Sequence, residues 1–158
     1  MKKILTLILI SIAIVSLAQK QTSVDLKWYT NMEEAIVESE KNKKPLFLFF
    51  TGSDWCGWCI KLQKEVFFKP EFKKWAKENV VLVELDFPKR KTIDENLKKQ
   101  NRKLAQMLGV RGYPTIWFVN PIREENKINL EKLGTQGYVR GGPKAWISEA
   151  ERQLNANK

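Results

Sequence analysis

Cys56 and Cys59 are the only cysteines in the chain, and they stand two residues apart in Trp55-Cys56-Gly57-Trp58-Cys59. Two thiols at this spacing can cycle between a dithiol and a disulfide. The reactive form in such chemistry is the thiolate. A purely structural bridge is a poor use of the pair, because a bond across two intervening residues closes a tiny loop and restricts the unfolded chain little. The 158 residues contain no histidine. A structural zinc site wants four ligands. A covalent c-type haem needs a histidine after the second cysteine, where Ile60 stands. A Cys–His hydrolase needs the imidazole as its base. Each of these chemistries lacks a part here, and copper binding by the two thiolates stays open as an alternative.

The elements that must hold the pair can be read on either side of it. Pro45 to Phe50 is a short apolar block rich in phenylalanine and reads as a buried strand. After the cysteines, Ile60, Leu62, Glu65, Val66 and Phe67 keep a helical spacing until Pro70 stops the run. The pair therefore falls where a central strand turns into a helix. Free N–H groups and the positive end of the helix dipole favour a thiolate there. Cys56, nearest the helix start, is predicted as the exposed nucleophile. Cys59, one turn in, is predicted as the thiol that resolves a mixed disulfide. Trp55 and Trp58 flank Gly57 and the cysteines and would offer an apolar surface to an incoming polypeptide; Trp55 reads equally well as a packing residue.

Taken in order, Val24 to Tyr29 alternates weakly and suits an edge strand. Thr30 with Glu33 has the form of a capping box opening a helix to about Asn42. Pro70 starts a helix that ends at Asn79, and Val80 to Phe87 is the clearest strand. Thr92 with Glu95 is a second capping box, opening a helix to Leu108 with Gly109 beyond it. Thr115 to Val119 is a strand ended by Asn120-Pro121. Lys127 to Leu133 is its hairpin partner, Gly134 to Gly142 a glycine-rich connection, and Pro143 starts a last helix to about Leu154. The order β-α-β-α-β-α-β-β-α predicts an α/β fold with a mixed central sheet, its core strands parallel, a late antiparallel hairpin at the edge and helices on both faces.

Residues 1–18 do not belong to that fold. A basic start, an apolar run from Ile4 and small residues at Ser16 and Ala18 have the three parts of a secretory signal peptide cleaved near Ala18. The alternative is an uncleaved anchor, but the run of roughly 14 residues is short for a membrane span. Residues 19–158 are then one domain, exported, in the simplest case to a bacterial periplasm. Export to an oxidising compartment means the pair must be actively reduced if it is to act as a reductant. The formal charge is +10, and much of the excess lies between Pro88 and Lys103. Such a patch could meet nucleic acid, an acidic partner or an anionic membrane. Export argues against nucleic acid, and the plainest reading is a solvated face.

The chain resembles the thioredoxin superfamily over about residues 24–156. The resemblance rests on Trp55-Cys56-Gly57-Trp58-Cys59 after a strand, on the element order, and on Gly112-Tyr113-Pro114-Thr115 before a later strand. The segment around Asp54-Trp55-Cys56 is most similar to exported members, among them the C-terminal domain of the bacterial transmembrane thiol:disulfide interchange reductase. The resemblance implies a thioredoxin fold, no organic cofactor or metal, and a cis Pro114 facing the disulfide, so that the backbone of Tyr113 can pair with an extended substrate segment. It implies protein substrates carrying disulfides and an electron donor, expected to be membrane-bound. Two departures matter. Thioredoxins carry a buried Asp six residues before the first cysteine, where Phe50 stands here, and Glu84 on the next strand is the candidate replacement as proton acceptor for Cys59. The dipeptide Gly57-Trp58 contains no histidine to stabilise a Cys56 thiolate, which leans the reading toward a reductant or mild isomerase. The competing readings are a non-catalytic thioredoxin-fold module acting as a metal or polypeptide chaperone, and a disulfide-donating oxidase.

Overall fold

The computed structural model describes residues 25–125 and 127–156. The expected signal peptide and the chain as far as Val24 lie outside the described residues. The elements are β1 (Trp28–Tyr29), α1 (Met32–Asn42), β2 (Leu46–Thr51), α2 (Gly57–Leu62) running into a π-helical turn (Gln63–Phe67), α3 (Pro70–Asn79), β3 (Val81–Asp86), α4 (Glu95–Met107), β4 (Thr115–Glu124), β5 (Lys127–Gln136) and α5 (Gly142–Asn155). The sheet order is β1-β3-β2-β4-β5. β3 runs parallel to both β1 and β2, while β4 is antiparallel to β2 and β5 to β4. The sheet is mixed, with an antiparallel half that begins at β4.

Side chains alternate between the two faces of each strand, and this alternation builds two cores. On one face Phe47 and Phe49 of β2 join Leu82, Ile116 and Phe118 under α2, the π-helical turn, α3 and α5. Aromatic rings dominate this side. Phe47 lies edge-on to Phe67, Phe72 and Phe118 with centroids 5.6–5.9 Å apart, and Trp146 of α5 is fully buried among them. On the other face Leu46, Leu48 and Phe50 pack with Val81, Val83 and Leu85 under α1 and α4.

Both helix starts lie one or two residues later than the capping boxes suggest. Asn31 caps α1, its Oδ1 accepting the N–H of Glu33 and Glu34 at 2.8 and 3.2 Å. Asp94 caps α4, accepting from Asn96 and Leu97 at 2.8 and 3.2 Å. An amide or carboxylate oxygen competes well with a threonine hydroxyl for that role, and a carboxylate gains further from the helix dipole. The hairpin is also longer than expected. β4 runs on through Asn120-Pro121, with Pro121 opposite Leu130, and β5 reaches Gln136. Past Val119, β4 pairs with β5 alone, so a residue without an N–H donor is tolerated there as on an edge strand.

Candidate active site

The pair lies where β2 hands over to α2. The turn is tied by the N–H groups of Trp55 and Cys56, which donate to the Gly52 carbonyl at 3.2 and 2.8 Å. Cys56 is the N-cap of α2, and its Sγ accepts the N–H of Cys59 at 3.1 Å. The two sulfurs are bonded. Cys56 retains 6% exposure and Cys59 none. Gly57 is exposed, with open space where a Cβ would stand, so the backbone beside Cys56 is uncovered.

The loop carrying Cys56 is clasped to the end of β3. Ser53 donates its N–H and its hydroxyl to the two carboxylate oxygens of Asp86 at 2.8 and 2.6 Å. Asp54 accepts the backbone N–H groups of Lys89, Arg90 and Lys91 at 3.0, 2.7 and 3.1 Å. Those bonds, that from Lys89 first, hold the Asp54 carboxyl below the usual carboxylate range. Trp55 donates its indole N–H to the Phe87 carbonyl at 2.8 Å. Its ring meets Tyr113 edge-on with centroids 5.7 Å apart and carries the Lys89 ammonium at 4.0 Å. These contacts make Trp55 a packing residue of the turn.

Trp58 is different. It is 56% exposed, lies against Tyr138 with ring centroids 5.2 Å apart, and has Lys61 above it. The Tyr138 hydroxyl donates to Glu65 at 2.5 Å, an acceptor that raises the tyrosine pKa. The Tyr113–Pro114 bond is cis. Tyr113 sits between Trp55 and Phe87, and burial raises its hydroxyl pKa. Gly137 passes so close to this turn that a Cβ there would stand 3.2 Å from the Pro114 carbonyl oxygen. The segment after β5 therefore closes one side of the site, and sequence reasoning missed it. Tyr138 and its partner Glu65 are 73 residues apart, and neither lies in a motif.

The residue replacing the thioredoxin carboxylate needs a correction. Counting back from Cys56 gives Phe50, but Phe50 belongs to the opposite core with Leu46 and Leu48. Phe49, with Phe47, is on the face of β2 clustered with Cys56 and Cys59. The period of two along the strand decides which face is met, and the β2–α2 turn sets the offset. Either way the position is apolar. Glu84 pairs in register with Phe49 and is half-buried. It lines a cleft of about 300 Å³ with Phe49, Gln63, Trp28 and Lys73. Burial raises its carboxyl pKa, and the Asp86 charge adds to the rise. Gln63 links the cleft to the pair by a long contact of 3.5 Å from its amide to the Cys59 carbonyl. Among the described residues no hydrogen bond joins Glu84 to Cys59 itself.

Residues 32–125 match the thioredoxin-like domain family. The chain belongs to that family. This thioredoxin-like protein is 35% identical over 132 residues to the disulfide bond reductase DsbH of Chlamydia pneumoniae, across 84% of this chain and 75% of that one. It is 32% identical over 141 residues to the thioredoxin-related protein DsbJ of the same organism, across 88% of this chain but 39% of DsbJ. A solved DsbH oxidoreductase superposes with a TM-score of 0.76 at 32% identity, covering 88% of this chain and 92% of the other. The oxidised C-terminal domain of DsbD from Neisseria meningitidis shares the fold, with a TM-score of 0.51 at 16% identity over 80% of this chain and 99% of that domain. Homology to DsbH across most of both chains, with the two cysteines bonded at the start of α2, makes this thioredoxin-like protein a disulfide oxidoreductase.

Proposed function

We propose that this thioredoxin-like protein is exported and reduces or isomerises disulfides in other proteins. The observation that carries the reading is the asymmetry of the pair: Cys56, expected to be exposed, is itself buried but keeps 6% exposure as the N-cap of α2 beside the uncovered Gly57, and Cys59 behind it has none. In the dithiol form the Cys56 thiolate attacks one sulfur of a substrate disulfide. A mixed disulfide forms and the other substrate sulfur leaves as a thiolate. Cys59 then loses its proton and attacks Cys56 Sγ, which closes the protein disulfide and frees the second substrate sulfur. Two electrons pass from the pair to the substrate in each cycle. Glu84, with its raised pKa and its cleft, receives the Cys59 proton and passes it to solvent. Trp55, Gly57 and Trp58 flank the attacking sulfur, and Tyr113 with Pro114 offers backbone to an extended substrate strand. The reductase name carried by DsbH supports the direction of flow.

Recharging the pair in an oxidising compartment needs a donor, and a membrane-bound thiol reductase fits that need. The Chlamydia relatives are bacterial, in keeping with a periplasmic location. N-terminal sequencing of the secreted form, with a start near Gln19, tests the export reading. Insulin reduction tests the chemistry. Turnover that survives Cys56→Ser sinks the mechanism.

A further inference from the structure

The segments that frame Cys56 each carry a cation. The loop after β3 brings Lys89 over Trp55 and Arg90, whose N–H is fixed on Asp54. The turn before β4 brings exposed Arg111, two residues ahead of Tyr113. The segment after β5 brings exposed Arg140 beside the Tyr138 hydroxyl. The helix itself brings Lys61 against Trp58 and Tyr138. The carboxylates nearby are already engaged. Asp54 keeps its charge on backbone N–H groups, while Asp86 is paired with Lys91 and Glu65 with Lys61, so the cations still outnumber the free carboxylate. Among the described residues Lys89, Arg90, Arg111 and Arg140 carry no ion pair.

We propose that these cations select acidic partners: the polypeptide segment that docks beside Cys56 and Trp58 carries Asp or Glu around its cysteine. This deepens the reading above and rests on it. The plain solvated face suggested by the 88–103 run is replaced at Lys89 and Arg90 by a function, because the Asp54 clasp ties their backbone to the turn that carries Cys56. Unpaired like charges on the segments that flank a site attract an oppositely charged chain and speed its encounter. Bringing such charges against a basic segment is penalised, so the same residues give selectivity as well as rate.

The test uses the reduced protein and two cyclic peptide disulfides of equal length, one with glutamates beside its cysteines and one with lysines. Hydroxyethyl disulfide serves as an uncharged reference. At low ionic strength the acidic peptide is reduced about tenfold faster than the basic one. The gap closes in about 1 M salt, where the screening length is only ~3 Å. Arg111→Glu and Lys89→Glu each lower the ratio of the acidic-peptide rate to the reference rate about threefold. Equal rates for the two peptides at low salt, or a gap that salt does not change, overturn the proposal. Co-sedimentation with phosphatidylglycerol vesicles alongside equal peptide rates assigns these cations to a membrane-facing surface and also overturns it. Failure to reduce even the uncharged reference overturns the reductase reading, and this proposal with it.

Discussion

Glu84 stands in register with Phe49 across the parallel β2–β3 pair, and Phe49, like Phe47 on the same face of β2, shares a core cluster with Cys59. A carboxyl thus lies on the cysteine face of the sheet, one strand away from where thioredoxins place theirs. Burial raises its pKa and the Asp86 charge adds to the shift. A raised carboxyl pKa favours the neutral form in the fold. Its contribution to stability is present below the unfolded carboxyl value of about 4.3 and is lost as pH rises through the folded value. Glu84→Gln removes that loss, so the variant gains stability over the wild type as pH climbs to neutrality. If Glu84 also takes the Cys59 proton, the same variant slows the resolving step by about 10²-fold, the lower end for a lost general base. Urea denaturation across pH 5–9 reads the stability, and stopped-flow decay of a mixed disulfide over the same pH range reads the resolving step. An unchanged pH profile removes Glu84 from the proton path.

The asymmetry of the cysteines gives a second prediction. Cys59→Ser leaves Cys56 able to attack and nothing able to resolve, so a substrate remains covalently attached. Cys56→Ser leaves only the fully buried Cys59 thiol, and turnover falls to background. Non-reducing gels with an insulin substrate distinguish the two. Equal trapping by both variants contradicts the assigned order of attack.

The Asp54 clasp predicts a local effect at a distance in sequence. Asp54 is the acceptor for consecutive N–H groups at Lys89, Arg90 and Lys91. Asp54→Ala leaves those donors to water and frees the loop from the cysteine turn. Hydrogen exchange at the three amides then rises well above that of β3. The pH dependence follows from the sign of the shift. A carboxyl held below its ordinary value stabilises the fold above the unfolded pKa of about 3.9, and that stability fades as pH falls through the folded value. Protection of the wild-type loop, measured as exchange relative to the intrinsic amide rate at each pH, therefore falls in acid, and the variant shows no such fall.

The features readable in sequence are those whose causes are local. The buried β2 strand, the helix after Cys56, the proline at the start of α3 and the cysteine pair each depend on neighbours within a few residues, and each stands where expected. The cis bond at Pro114 followed from a resemblance of motif and not from local chemistry. What escaped depends on partners brought together by the fold. Asp54 meets Lys89 from 35 residues away, and Tyr138 reaches Glu65 from 73. Counting six residues back from Cys56 gives Phe50, which packs in the core away from the cysteines, because one residue of offset in a strand exchanges its two faces. The extension of β4 through Pro121 was missed because proline reads as a stop unless the strand has a free edge.

Two aromatic residues of the chain separate fold from function. Phe47 is fully buried and touches rings on the π-helical turn, α3, β4 and α5. Phe47→Ala removes that volume from a core with little room to relax and costs about 3–5 kcal/mol. That is a large part of a domain stability of about 5–15 kcal/mol. Trp58 is 56% exposed and leans on a single ring. Trp58→Ala therefore changes stability by no more than about 0.5 kcal/mol. If its open face receives the substrate, the loss appears instead as a several-fold higher KM for a polypeptide disulfide, with the rate on a small disulfide much less affected. Urea denaturation of both variants, read beside steady-state kinetics of Trp58→Ala, checks the division. A Trp58→Ala protein that unfolds as readily as Phe47→Ala shows the ring to be structural, and the substrate-facing role then fails.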